Sequence, residues 1–283
     1  MEARDPGLSI SPGRPWRGRD LLALAPAMVV LALLFAGALA GAVRVSLIPL
    51  GGEPTFESWH ELVNDPVFRE GLVFTLWIAA ASTALAAAAG VALALALRRR
   101  GAGLRVLAAL PVPVPHLLVA VVAVVWLAPG GLADRLLGGL PVDLVRDRAG
   151  LGVIGVYVYK EAPFLALLVL AALGRDLERR EEAAIVAGAT RRQRLAWVVW
   201  PAIRGPLVIG CVIVAAFAIG AFEVPLAVGP NSPPTLATYA FEATQGDVIA
   251  GEGRAAAALL VAGLLATALA ATAVRFARSV EGL

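Results

Sequence analysis

The sequence predicts an all-α membrane protein with six transmembrane helices. Of its 283 residues, 59% are apolar and 16% are charged, whereas soluble domains hold roughly 45–50% apolar and about 25% charged residues. The apolar residues form six long runs, each near the roughly 20 residues that cross a hydrocarbon core. Because these runs do not alternate with polar residues, as the strands of a membrane barrel do, helices are expected.

The six runs predict the six spans in chain order. They cover residues 21–43, 72–97, 106–128, 151–173, 206–228 and 255–274. Residues 1–20 are then an N-terminal tail, 21–274 a single membrane domain and 275–283 a C-terminal tail. The first run also resembles a secretory signal, since arginines precede it and Ala38-Leu39-Ala40 resembles a cleavage site. Its length of about 23 residues exceeds a signal core, so we expect an uncleaved span.

The arginines predict the orientation of the chain. Segments 1–20, 98–105, 175–204 and 275–283 hold 17 of the 24 basic residues. Because cytoplasmic segments carry an excess of Lys and Arg, we expect both termini and these loops on the cytoplasmic side. The arginines that fix this topology also account for the pI near 9.6, so no nucleic-acid partner is expected.

The outer loops are short and carry turn signals. In loop 129–150, two glycine pairs flank Asp134 and Arg135, which predicts a short interfacial helix between turns. The segment 229–234 contains three prolines and predicts a break after the fifth run.

Residue types for metal or nucleotide chemistry are scarce. The chain has one cysteine, Cys211, and two histidines, His60 and His116, so neither a disulfide framework nor a metal site is expected. Its only lysine, Lys160, follows Tyr159 rather than glycine, which excludes a G-x-x-x-x-G-K-[ST] phosphate loop. We expect no catalytic residue and no bound cofactor in this chain.

The inner loop between the fourth and fifth runs has a helical pattern. Leu177, Ala184 and Ile185 fall on one face of a helix. Gly188 supplies the left-handed position that commonly ends a helix, and the segment 190–193 has the S/T-x-x-E/Q spacing of a capping box. This pattern predicts two short helices that meet at a corner of small residues.

At this corner the chain resembles a known signature, the EAA-x3-G-x9-I-x-L-P motif of inner-membrane subunits of binding-protein-dependent ABC importers. The matching residues are Glu182, Ala183, Ala184, Gly188, Val198 and Pro201. Both spacings agree, and the loop precedes the fifth span as it does in that family. The chain departs from the family in having Ala187 where Asp is usual and Trp200 where Leu is usual.

The resemblance implies a six-span permease subunit of the bacterial inner membrane. It implies that the loop is a coupling helix, which docks in a groove of a cytoplasmic ATPase subunit. The implied partners are a second permease subunit, identical or different, two ATPase subunits that bind ATP and Mg, and an extracytoplasmic solute-binding protein. The implied coupling residues are Glu182, Ala183, Ala184, Ala187, Gly188 and Pro201. The alanines keep the ridge thin, and the glycine permits a sharp turn.

Two further segments resemble one branch of this superfamily. Residues 222–230 replace the T-x-G-G-P element of sugar-type permeases, and residues 159–164 read YKEAPF. Both are similar to the polyamine, iron(III), thiamine and phosphonate group. A sugar-type permease is the alternative.

Three charged residues are predicted to lie within the spans. Lys160 and Glu161 fall near the middle of the fourth run, and Glu223 falls near the outer end of the fifth. Charge at such depth is costly unless it is paired or hydrated. We therefore expect Lys160 or Glu161 to face Glu223, or all of them to line a common translocation cavity. A purely structural ion pair is the alternative.

Two other classes of membrane protein remain possible from the residues alone. An ion-coupled secondary transporter would carry inverted repeats and broken midplane helices, and no internal repeat is apparent. A membrane-embedded enzyme would need a cluster of His, Cys or acidic groups, which the sequence lacks.

Overall fold

The computed structural model describes residues 18–48, 52–246 and 248–281. Within these ranges all regular structure is helical, as predicted. Residues 1–17, which hold most of the predicted N-terminal tail, and residues 282–283 lie outside the described residues. The helices are α1 (Gly18–Leu47), α2 (Glu57–Asn64), α3 (Pro66–Leu97), α4 (Ala102–Ala109), α5 (His116–Leu127), α6 (Leu132–Leu137), α7 (Leu151–Ala172), α8 (Arg175–Val186), α9 (Arg191–Arg194), α10 (Trp200–Gly220), α11 (Glu223–Val228), α12 (Leu236–Gly246) and α13 (Val248–Glu281).

Six helical stretches are long and apolar enough to cross a membrane, which confirms the predicted number. They are Leu24–Leu47, Pro66–Leu97, His116–Leu137, Leu151–Ala172, Arg191–Gly220 and Gly251–Arg275. The first, second, fourth and sixth contain or closely follow the predicted runs. Helix α13 continues to Glu281, so the predicted C-terminal tail is helical as far as that residue.

Helices α3 and α7 form the centre of the bundle. Small residues recur every four positions on α3, at Ala86, Gly90 and Ala94, and all three are buried. A Cβ atom added at Gly90 would lie 2.8 Å from the carbonyl oxygen of Ala162, so only glycine permits this approach. Close backbone packing of this kind is how membrane helices associate, since lipid gives them no hydrophobic driving force.

The third span differs from the prediction. Run 106–128 is not one helix, because α4 ends at Ala109 and α5 begins only at His116. Pro111, Pro113 and Pro115 lie in the connecting turn, and each lacks the N–H that would continue the helical ladder. The span therefore starts at His116 and extends through α6 to Leu137, and α6 is the short helix predicted between turns.

The fifth span also lies elsewhere than predicted. The helix begins at Arg191, passes through a π-helical turn at Leu195–Val199 and ends at Gly220, rather than covering 206–228. Ala221 is extended, and a separate short helix, α11, begins at Glu223. The ring of Pro225 would clash with the carbonyl of Ala221 in a continuous helix, which explains the interruption.

Hydrogen bonds attach α12 to the N-terminal part of α3. The Tyr239 hydroxyl donates to Asp65 Oδ2 at 2.7 Å, while Asp65 Oδ1 accepts from the backbone N–H of Val67 at 2.8 Å and caps α3. The backbone N–H of Leu236 donates to the Thr75 hydroxyl at 2.8 Å. The predicted break at 229–234 is confirmed, because no helix includes these residues.

Candidate functional site

The corner after α8 has the predicted geometry. Gly188 has φ of +80°, a conformation that costs most other residues roughly 1–2 kcal/mol. Its N–H donates to the carbonyl of Ile185 at 2.9 Å, and the N–H of Ala189 donates to the carbonyl of Ala184 at 2.9 Å. These two bonds are the Schellman arrangement, which satisfies the last carbonyls of the helix.

The capping box that starts α9 is also confirmed. The N–H of Thr190 donates to Gln193 Oε1 at 2.8 Å, and the N–H of Gln193 donates to the Thr190 hydroxyl at 3.3 Å. The second helix of the pair then continues directly into the fifth span. The corner is therefore joined to a transmembrane helix without an intervening loop.

The predicted coupling residues lie on the surface of this corner. Ala184 is half-buried, whereas the others are exposed: Glu182, Ala183, Ala187, Gly188 and Pro201. Val186, at the tip, is 90% exposed. No other described part of the chain covers this surface, which leaves it free to contact another protein.

Sequence reasoning missed the ion pair that holds α8 in place. Arg98, which caps the C-terminal end of α3, donates from Nη1 to Glu181 Oε2 at 2.9 Å and from Nη2 to Glu181 Oε1 at 3.2 Å. Glu181 is buried, being 7% exposed. The face of α8 predicted from Leu177 and Ile185 also includes Glu181, so the signal was present in the sequence.

Lys160 is buried, and backbone carbonyls surround its ammonium group. Its Nζ donates to the carbonyls of Pro111 at 2.7 Å, Val112 at 3.0 Å and Val114 at 2.5 Å. These carbonyls belong to the turn between α4 and α5, where prolines have removed helical donors. The lysine thus satisfies the backbone of the turn that precedes the third span, as lipid cannot.

Glu161, the next residue on α7, pairs with His116 at the start of α5. His116 Nε2 and Glu161 Oε1 lie 2.8 Å apart, and the imidazole packs on Phe217 of α10 with ring centroids 4.5 Å apart. His116 is the first residue of α5, and it has an acidic partner that the sequence did not predict. His116, Lys160 and Glu161 line one cavity of about 250 Å³.

A direct ion pair of Lys160 with Glu223, one of the predicted arrangements, does not form among the described residues. Glu223 is exposed at the start of α11, and no ion pair joins it to Lys160 among the described residues. It is also not among the residues that line the cavity beside Lys160. The expected contact required a fifth span that continued past Gly220, and the interruption at Ala221 places Glu223 outside it.

Known proteins match most of this chain in sequence. Residues 84–281 match the family described as the binding-protein-dependent transport system inner membrane component. The chain is 28% identical over 212 residues to the inner membrane ABC transporter permease protein YnjC of Escherichia coli (strain K12), and the match covers 74% of this chain. The chain spans only 41% of that relative's length.

Two solved structures share the fold. One is a bacterial alginate ABC transporter in complex with an alginate pentasaccharide-bound periplasmic protein, with a TM-score of 0.74 and 20% identity over 92% of this chain and 94% of the other. The second is a bacterial ABC transporter involved in the import of the acidic polysaccharide alginate, with a TM-score of 0.76, 20% identity and 92% and 96% coverage. With the match over 84–281, the chain belongs to the family of binding-protein-dependent transport system inner membrane components.

Proposed function

We propose that this chain is a transmembrane permease subunit of an ABC importer and that its α8–α9 corner couples the spans to a cytoplasmic ATPase. The observation that carries the proposal is the rigid, exposed corner itself. Gly188 and the Thr190 capping box fix its shape, and α9 continues into the fifth span. A force applied at the corner would therefore move a transmembrane helix.

The surface of the corner suits a groove in a partner protein. Ala183 and Ala187 are exposed and have no long side chain to prevent close approach. Val186 offers an apolar contact at the tip, and Glu182 offers a carboxylate to basic or amide groups. An apolar side chain this exposed on a polar loop is more favourable when a partner covers it.

The proposed transporter needs further subunits. The chain has no phosphate loop, so two partner ATPase subunits would bind ATP and Mg. A second permease subunit, identical or different, would complete the pathway, and an extracytoplasmic binding protein would deliver the solute. ATP-driven closure of the ATPases would open the permease pair outward, and hydrolysis would reset it.

We place the translocation pathway beside the cavity lined by Lys160, Glu161 and His116. Ionisable groups at membrane depth face protein or water rather than lipid. Glu161 and His116 keep part of their side chains exposed, 12% and 24% respectively, so this face of α5, α7 and α10 would meet the second permease subunit or the aqueous path. Glu223 would line the outer part of the path from α11.

We propose that the cargo is of the kind carried by the branch that residues 159–164 and 222–230 resemble, namely polyamine, iron(III), thiamine or phosphonate. A sugar-type permease remains the alternative. The ion-coupled transporter also predicts a broken helix, and the third span is interrupted between α5 and α6. The family match over 84–281 favours the ABC importer.

The corner is tested by substitution at Gly188. Valine at this position should lower solute uptake by about tenfold, because a strain of roughly 1–2 kcal/mol at φ of +80° corresponds to about that factor. Asparagine tolerates the left-handed conformation and should retain most of the uptake. Glu182→Lys should lower uptake while Glu178→Lys, one turn earlier on α8, does so less. Normal uptake by Gly188→Val and Glu182→Lys with the ATPase still bound would disprove the coupling assignment.

The orientation predicts the result of reporter fusions. A reporter that works only in the cytoplasm should be active after Leu283, and one that works only outside should be active near Glu57, because basic residues concentrate on the opposite side of the membrane from the first outer loop. Activity of the external reporter after Leu283 would contradict the proposed orientation.

A further inference from the structure

A basic cavity of about 390 Å³ lies where the inner end of α3 meets the start of the fifth span. Four arginines line it, Arg98 and Arg99 from α3's end and Arg191 and Arg194 from α9, together with the carboxylate of Glu181. Neither the coupling corner nor the pathway uses this cavity.

The charges in the cavity do not balance. Both carboxylate oxygens of Glu181 accept hydrogen bonds from Arg98. The remaining three guanidinium groups have no carboxylate partner among the described residues. The Nε atom of Arg194 is buried and lacks a hydrogen-bond acceptor within the described part of the chain. A buried donor without an acceptor is costly, and an anion in the cavity would supply that acceptor.

The walls of the cavity indicate the kind of anion. Leu95 and Leu195 line it on the side of the spans, so its floor is apolar and its remaining lining is rich in guanidinium groups. Guanidinium groups bind phosphate oxygens through paired, charge-assisted hydrogen bonds. The apolar residues of α3 end at Leu97, and arginines that directly follow an apolar span are expected at the level of the lipid head groups.

We propose that this cavity binds a phosphate group, supplied by the head group of an anionic phospholipid or by soluble phosphate. Arg194 donates from the interior of the cavity, and Arg99 and Arg191 close on the phosphate from its rim. The bound group lies beside the Arg98–Glu181 pair, between α3 and the two helices of the loop. A phosphate bound in the cavity would therefore connect α3, α8 and α9, the three helices that position the corner.

The test is a titration of the purified full chain in detergent. The probes are dihexanoyl phosphatidylglycerol, its zwitterionic phosphatidylcholine counterpart, and inorganic phosphate at constant ionic strength. The cavity variant is Arg99→Gln with Arg194→Gln. Its matched control is Arg100→Gln with Arg192→Gln, which removes the same charge from the same two segments at residues that do not line the cavity.

Wild-type protein should bind phosphatidylglycerol in preference to phosphatidylcholine. The cavity variant should lose at least about tenfold in that affinity, and the control should lose little. Competition by inorganic phosphate would identify soluble phosphate as a ligand, whereas binding of the lipid alone would identify the head group.

Equal losses in both double variants would overturn the proposal, since they would reflect general surface charge. So would a wild-type protein that binds neither phosphatidylglycerol nor inorganic phosphate. If the cavity variant does not fold, Arg99→Gln alone, at an exposed rim residue, should still weaken binding while Arg100→Gln does not.

Discussion

Replacing Lys160 with methionine should destabilise the protein by about 2–4 kcal/mol. The carbonyls of Val112 and Val114 would each lose their donor at a cost of roughly 1–2 kcal/mol, whereas the carbonyl of Pro111 would keep the N–H of Val114. Methionine retains most of the side-chain volume, so the loss measures the ammonium group rather than a cavity. The carbonyls of Pro111, Val112 and Val114 lie in a proline-rich turn with few N–H groups of its own. Thermal unfolding in detergent, followed by circular dichroism, measures the effect.

A double-mutant cycle separates this role from the pairing with Glu223. Lys160→Met and Glu223→Gln should have additive effects, since residues that share no partner do not couple. Glu161→Gln, at the next residue, keeps a polar group opposite His116 and should cost less. A Lys160→Met variant as stable as wild type would show that the turn does not depend on the lysine.

The positions of the spans were predictable only where composition decides them. Runs 72–97 and 151–173 fall within or against helices of nearly that extent, and α7 accommodates Pro163 without ending. The third and fifth runs are as apolar as the others, but Pro115 removes a donor within the third run and Pro225 removes one near the end of the fifth. Apolar composition marks residues that tolerate lipid, but it does not show whether a proline ends a helix or lies inside one.

The corner was predictable because its determinants are local. The two bonds at Gly188 and the Thr190–Gln193 box each join residues at most five positions apart. The partners of Lys160 lie 46 to 49 residues away and are carbonyl groups, which no side-chain pattern reveals. A pattern of charged side chains could therefore suggest only carboxylates as partners for Lys160, whereas its actual partners are backbone carbonyls.

Removing one member of the Arg98–Glu181 pair should have the second large effect. Glu181→Gln leaves the Arg98 guanidinium among three further arginines, and should destabilise the chain by about 2–4 kcal/mol, near the cost of breaking a buried pair. Glu178→Gln is the matched control, since Glu178 is exposed one turn earlier on the same helix. Thermal stability and solute uptake are both measured, and equal effects of the two variants would exclude a special role for Glu181.

The exchanged variant, Arg98→Glu with Glu181→Arg, separates the contact from the charge of the loop. It keeps the net charge, and the new arginine at position 181 can form the same two hydrogen bonds with the new glutamate at position 98. The exchanged variant should therefore recover part of the stability that Glu181→Arg alone removes. If the pair also positions the corner, uptake per folded molecule should fall in Glu181→Gln and partly return in the exchanged variant. Strictly additive effects of the two exchanges would contradict the pair's contribution, since contacting charges couple by roughly 0.5–3 kcal/mol. Uptake that falls only in proportion to the folded fraction would mean that the pair stabilises α8 without transmitting movement between α3 and the corner.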